Sequence, residues 1–168
     1  AGDLPRERCD ELAAIYRDRL RELAPAAAVV VDKTPGNAHN LGLIYALFPG
    51  ARVVFTRRDP LDVGVSQVSK DFERSVDYSF DPEQTGRYLG ALKEHMAHWQ
   101  AILPEDFLLT LDYESLIADP ETEVARLLAH CGLSWEDTCL RFHETERTVR
   151  TASQAQVRQG LYRSAVER

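Results

Sequence analysis

The stretch Ala51-Arg-Val-Val-Phe-Thr-Arg-Arg-Asp-Pro60, followed by Leu61 through Ser66, decides the fold. Its first half, to Thr56, is rich in β-branched and aromatic residues, the composition of a half-buried or buried strand. Asp59-Pro60 then starts a helix, with Asp as N-cap and Pro at the first helical position, where the missing N–H is not needed. The chain passes from strand to helix with almost no loop, and Arg57, Arg58 and Asp59 occupy the junction. Such a junction is the building unit of α/β proteins, in which parallel strands are joined by helical crossovers.

Toward the N-terminus, Pro49-Gly50 breaks a helix expected over roughly His39 to Phe48. Ala28-Val-Val-Val-Asp32 is apolar until its end and is expected to be another strand, covered on both faces. Cys9, Leu12, Tyr16, Leu20 and Leu23 recur at spacings of three and four, which predicts an amphipathic helix over Pro5 to Leu23. Toward the C-terminus, the helix begun at Pro60 is expected to run to about Phe72. Asp81-Pro82 repeats its start signal, with Gln84 placed for a capping box. Leu89, Leu92, Met96, Trp99 and Leu103 form the apolar stripe of the helix that follows. Pro104 ends it, and Asp106 to Leu111 reads as a third strand. Asp119-Pro120 and Ser134-Trp-Glu-Asp137 open two short helices, and from about Thr145 an extended loop is expected.

Strands alternating with helices predict a single domain over residues 1–168, a three-layer α/β fold around a parallel sheet. In such sheets ligands lie beyond the carboxyl ends of the strands. Each expected strand ends in polar residues, Asp32-Lys33-Thr34, Arg57-Arg58-Asp59 and Asp112-Tyr113-Glu114, and these corners are expected to converge.

Composition narrows the function. The 168 residues carry a formal net charge of −7, which argues against a general nucleic-acid or anionic-membrane binder. No apolar run approaches the ~20 residues that cross a bilayer. Cys9, Cys131 and Cys139 have no metal-ligand spacing and read as free thiols of a reducing compartment, so the expected location is the cytoplasm. Charge is uneven: from Arg141 onward six arginines face three glutamates, a local balance of +3. A basic tail on an acidic chain fits a confined anion site, or simply a solvated end.

Arg58 is the first candidate for that site. A guanidinium, helix-end N–H groups and the helix dipole together suit a phosphate. Ser66 lies farther along the same helix, and Lys70 one turn beyond it on the same side. Alternatively, Arg58 pairs with Asp59 or Asp62 and Ser66 faces solvent.

Four segments, taken in order, resemble a family: Val31-Asp-Lys-Thr-Pro35, Phe48 through Pro60 with Ser66, Asp112-Tyr-Glu-Ser-Leu116, and Thr151-Ala-Ser-Gln-Ala-Gln-Val-Arg158. They are similar to those of bacterial sulfotransferases related to tyrosylprotein sulfotransferase, often attached to tetratricopeptide repeats. The resemblance implies a fold like that of P-loop nucleotide hydrolases and adenosine 3′-phosphate 5′-phosphosulfate as cofactor, with adenosine 3′,5′-bisphosphate as product and no metal. It implies that Arg58 and Ser66 grip the 3′-phosphate with help from Lys70, and that Tyr113 contacts the nucleotide. Ser153, Gln154, Val157 and Arg158 belong to a loop folding over the cofactor, so that the basic tail over residues 145–168 acquires a purpose. Lys33 and Ser153 match catalytic residues that stabilise charge on the leaving phosphate. Lys33 could instead be a loop residue paired to Asp32.

The sequence also departs from this family. Its members begin with a strand, a Gly/Pro-Arg-Ser-Gly-Thr-Thr loop and a helix that hold the 5′-phosphosulfate, followed by a glutamate that acts as base, and no such segment is present. The chain is therefore expected to be the C-terminal portion of a longer protein, inactive by itself, with an exposed sheet edge that oligomerisation could cover. Two other readings stay open: a non-catalytic nucleotide-binding module, and an interaction domain without a nucleotide. Pro35 stands where cytosolic relatives carry a histidine base. His39 is the nearest substitute, while His95 and His98 read as packing beside Trp99 rather than as metal ligands. The acceptor is expected to be a hydroxyl, met by variable loops such as Glu73 to Asp81.

Overall fold

The structure is a computed structural model that describes residues 5–68 and 81–144. The chain divides into two compact units, one of residues 1–51 and 92–107, the other of residues 52–91 and 108–168.

The first unit is helical. Helix α1, Arg6–Leu23, follows Pro5 as the spacing predicts and buries Cys9 and Ala13. A 3-10 turn over Pro35–Asn40 leads into α2, Leu41–Leu47, where one continuous helix was expected. The third helical piece is the C-terminal half of α4, whose full span is Pro82–Ile102. Cys9, Ala13, Leu41, Met96 and Phe107 form this unit's core, and Phe107 is 1% exposed. The Tyr45 ring meets Phe107 edge-on with centroids 4.9 Å apart. The outer edge of the Trp99 ring closes on Gly42, so near that a Cβ there would sit 2.6 Å from it. Gly42 is a close-approach glycine, needed for space rather than for backbone freedom.

The strand expected over Ala28 to Asp32 is not formed, and residues 28–34 carry no helix or strand. Val29, Val30 and Val31 are exposed, Val31 by 83%. The reason is physical: a strand exists only when a neighbour takes up its N–H and C=O groups. Among the described residues no strand pairs with this run.

The second unit holds the sheet. Strand β1, Val53–Arg57, pairs in parallel with β2, Leu108–Asp112, in a register that sets Val53 against Leu108 and Arg57 against Asp112. A parallel pair with helices on the connecting chain makes this an α/β protein, as the strand–helix junction at Asp59 predicts. Helix α3, Pro60–Val68, leaves β1 almost at once. Its Gly64 faces Leu89 and Thr85 of the N-terminal half of α4 at van der Waals range. Asp81 caps α4, accepting the N–H groups of Glu83 at 2.8 Å and Gln84 at 3.3 Å. These donors hold the Asp81 carboxyl below its ordinary range. The Gln84 amide closes the box on the carboxylate itself, at 3.2 Å.

Helix α5, Tyr113–Ala118, follows β2 without a loop and was not expected from the sequence. Helix α6, Pro120–Cys131, starts on the predicted Asp119 cap, which accepts the Thr122 N–H, and ends in a left-handed Gly132 at φ 66°. The Leu133 N–H returns to the Leu128 carbonyl at 2.9 Å, satisfying an orphan acceptor of the last turn. From α6, Arg126 donates to the Thr110 carbonyl and His130 meets the Val53 carbonyl, each at 3.1 Å. The helix is thus tied to both strands. A 3-10 segment over Asp137–Glu144 ends the described chain, just after the expected start at Ser134. All three cysteines are free thiols. Among the described residues no helix is long and apolar enough to cross a membrane.

Candidate functional site

At the carboxyl end of the strand pair the register runs on past the sheet, and three successive residue pairs meet there. The first is ionic: Arg57 Nε and Nη2 donate to Asp112 Oδ1 and Oδ2 at 2.5 and 2.9 Å. This two-pronged contact raises the Arg57 guanidinium above its ordinary value. The second is aromatic, with Arg58 Cζ 4.9 Å from the centre of the Tyr113 ring. The third is a hydrogen bond in which the Asp59 N–H donates to Glu114 Oε1 at 2.8 Å. Arg58 is thereby flanked on both sides by residues anchored to the segment 112–114.

Arg58 also bonds along its own helix. Its Nε and Nη2 both donate to Asp62 Oδ2, at 3.3 and 2.8 Å. The pair is mostly buried, with 29% of the Arg58 side chain and 16% of the Asp62 side chain exposed. Of the two carboxylates near it in sequence, Asp62 is the partner. Ser66 stands one turn beyond Asp62 and is half-buried rather than turned out to solvent.

One expectation is corrected. The helix-end N–H groups of α3 were expected to meet a phosphate. Asp59 Oδ1 already accepts the Leu61 N–H at 2.8 Å and the Asp62 N–H at 3.3 Å. A good N-cap and an open anion site compete for the same donors. The corner therefore offers side chains: a cation over a ring, and a hydroxyl farther along the helix. A guanidinium and a hydroxyl are donors of the kind a phosphate takes, and Asp62 holds the Nε and Nη2 side of the first.

Lys33 lies in the other unit, on the loop before the 3-10 turn, and is exposed. Its neighbour Asp32 accepts the Tyr16 hydroxyl at 2.7 Å and the Thr34 hydroxyl at 2.8 Å. These bonds lower the Asp32 carboxyl, and the Asp32 contact raises the Tyr16 phenol. Asp32 is thus engaged by Tyr16 and Thr34, and the alternative pairing with Lys33 is not what is found among the described residues. Lys33 borders a shallow groove with Tyr16, Leu20, Leu23 and Val31. Lys70, Ser153, Gln154, Val157 and Arg158 lie outside the described residues, as do the tail over 145–168 and most of the loop expected to meet the acceptor.

His39, His95 and His98 are engaged in ring contacts. His95 Nε2 accepts the Trp99 indole N–H at 2.8 Å, and the His39 ring lies 5.6 Å from that of His95. Among the described residues no group of His, Cys, Asp and Glu is arranged to hold a metal.

Sequence reasoning missed Glu114 and the Arg57–Asp112 clasp. For the clasp the signal was present: strands ending in Arg-Arg-Asp and Asp-Tyr-Glu set Arg57 against Asp112 once their register is known.

A parallel strand pair whose ends run straight into helices, with a guanidinium, a carboxylate and a ring gathered there, defines an α/β domain with a polar corner at its strand ends. The sulfotransferase family matches residues 5–137. An uncharacterized protein of Aquifex aeolicus (strain VF5) is 38% identical over 159 residues, covering 93% of this chain and 21% of its own length. The chain thus spans about a fifth of that relative. This chain belongs to the sulfotransferase family.

Proposed function

We propose that this chain is the nucleotide-gripping part of an enzyme that moves a sulfuryl group from adenosine 3′-phosphate 5′-phosphosulfate to an acceptor hydroxyl. The observation that carries this reading is Arg58, fixed between Asp62 and the Tyr113 ring at the carboxyl end of β1, with Ser66 one turn beyond Asp62. In this reading Arg58 and Ser66 hold the 3′-phosphate, with Lys70 beside them, and Tyr113 faces the nucleotide. The bound cofactor supplies the activated sulfuryl group. The Lys33 ammonium, with the Ser153 hydroxyl, stabilises negative charge on the leaving oxygen, the kind of electrostatic help that sulfuryl transfer shares with phosphoryl transfer. Gln154, Val157 and Arg158 close over the nucleotide from the basic tail.

The same reading completes the domain as three layers, with a further strand, loop and helix beside the pair described and a 5′-phosphosulfate site in that loop. It puts the protein in the cytoplasm, with an exposed sheet edge through which two copies can join. Acceptor choice falls to the loop over Glu73 to Asp81.

Calorimetric titration of the full chain with adenosine 3′,5′-bisphosphate, beside adenosine 5′-monophosphate, tests it. The bisphosphate is expected to bind at least about tenfold more tightly, and Arg58→Ala to abolish the difference, since a charge-assisted hydrogen bond contributes roughly 1.5–3 kcal/mol. Equal affinities, or an Arg58→Ala chain that discriminates as well as the wild type, would overturn the proposal.

A further inference from the structure

We infer that Glu114 is a positioning residue for Arg58, acting across the strand pair by taking over a duty that would otherwise fall to Asp62. The inference rests on the reading of Arg58 as the 3′-phosphate ligand and goes beyond it by naming what keeps that ligand in place.

Asp59 is the N-cap of α3, which makes Asp62 the third helical residue. In a capping box the acidic side chain at that third position turns back and accepts the N–H of the N-cap residue. Here it does not: Asp62 Oδ2 takes Nε and Nη2 of Arg58. The Asp59 N–H is satisfied instead by Glu114 Oε1, at 2.8 Å, from the start of α5. Asp59 lies at an exposed position, where a carboxylate acceptor still competes with water for its N–H because the bond is charge-assisted. Two acceptors near this corner compete for two donors, the Asp59 amide and the Arg58 guanidinium. Glu114 on the amide leaves Asp62 for the guanidinium, which holds Arg58 over the Tyr113 ring. Without Glu114, the carboxylate of Asp62 is drawn back to its own N-cap and Arg58 loses its anchor.

Charge separates this role from a general electrostatic one. Removing a carboxylate near a phosphate site helps any anion to bind, so both Glu114→Gln and Glu114→Ala gain that effect. Only the glutamine keeps an acceptor for the Asp59 N–H. The test is the ratio of affinities for adenosine 3′,5′-bisphosphate and adenosine 5′-monophosphate, by calorimetry on the full chain, together with hydrogen exchange of the Asp59 amide. Glu114→Ala is expected to show a ratio about tenfold below that of Glu114→Gln, in line with the loss of one well-placed charged hydrogen bond. The Asp59 amide is expected to exchange at the same rate in Glu114→Gln as in the wild type. A purely structural contribution would shift the unfolding midpoint and leave the ratio alone. If the wild type prefers the bisphosphate and the two variants share one ratio, the inference is overturned while the cofactor reading stands. A wild type indifferent to the 3′-phosphate overturns the cofactor reading and this inference with it.

Discussion

The Arg58 guanidinium lies over the face of the Tyr113 ring, 4.9 Å from its centre, although the two residues belong to different strand–helix junctions. A cation over a ring face is attracted by the ring's quadrupole and needs the ring rather than the hydroxyl. Tyr113→Phe is expected to keep the contact, and Tyr113→Leu to lose about 1 kcal/mol of stability in urea unfolding. Equal losses in the two variants would show that the ring contact contributes nothing.

The Arg57–Asp112 clasp is more exposed, at 57% and 33%, so its geometry overstates its strength. A double-mutant cycle through Arg57→Ala and Asp112→Ala is expected to give a coupling of about 0.5 kcal/mol, falling further in roughly 1 M salt. A coupling insensitive to salt would contradict an ionic origin.

Gly42 has no room for a side chain, because a Cβ would lie 2.6 Å from the Trp99 ring. Gly42→Ala is expected to cost about 1–3 kcal/mol by overpacking. Combining it with Trp99→Leu should recover part of that loss, whereas strict additivity of the two changes would argue against the clash. Gly36→Ala, with open space around its Cβ, serves as the neutral comparison.

Tyr16 and Asp32 tie α1 to the loop that carries Lys33, and their hydrogen bond shifts both groups. The folded Asp32 carboxyl is lowered, so its contribution is present above the unfolded value of about 3.9 and is lost as pH falls through the folded one. The folded Tyr16 phenol is raised, so its contribution is present below about 10 and is lost as pH rises beyond. Tyr16→Phe is expected to flatten the stability profile at both ends, measured as unfolding midpoints across pH. An unchanged profile would mean that the bond does not persist in solution.

If Lys33 acts at the leaving oxygen, Lys33→Ala, placed in a transfer-competent form of the enzyme that carries the 5′-phosphosulfate loop, should lower the rate of transfer about a hundredfold. Its affinity for adenosine 3′,5′-bisphosphate should stay close to that of the wild type, read by calorimetry. A parallel loss of rate and affinity would make Lys33 a binding residue instead.

What could be read from the sequence follows from where the controlling forces lie. The starts of α3, α4 and α6 were legible because an N-cap acts within one turn: Asp59-Pro60, Asp81-Pro82 and Asp119-Pro120 each carry their own signal. The stripe from Leu89 to Leu103 likewise announces a helix locally. Ala28 to Asp32 has the composition of a strand and forms none, because strand formation depends on a partner elsewhere in the chain. Helix α5 escaped notice because Tyr113–Ala118 is too short to show a period, and Asp112, its natural cap, is held by Arg57. The meeting of Arg58 with Tyr113 was legible in outline from the polar strand ends. That the α3 amides are taken by Asp59, and the Asp59 amide by Glu114, depends on acceptors competing in space, which residue spacing does not record.

The parallel pairing of Val53 with Leu108 has a consequence for how the molecule can be divided. The chain between the two strands leaves one unit, enters the other over Leu92–Phe107, and returns. Closing so long a loop costs about 3–4 kcal/mol in chain entropy before any contact repays it. Neither unit is a continuous piece of polypeptide, so no single cut releases one of them intact. Translation that stops short of Leu108 leaves β1 without its neighbour.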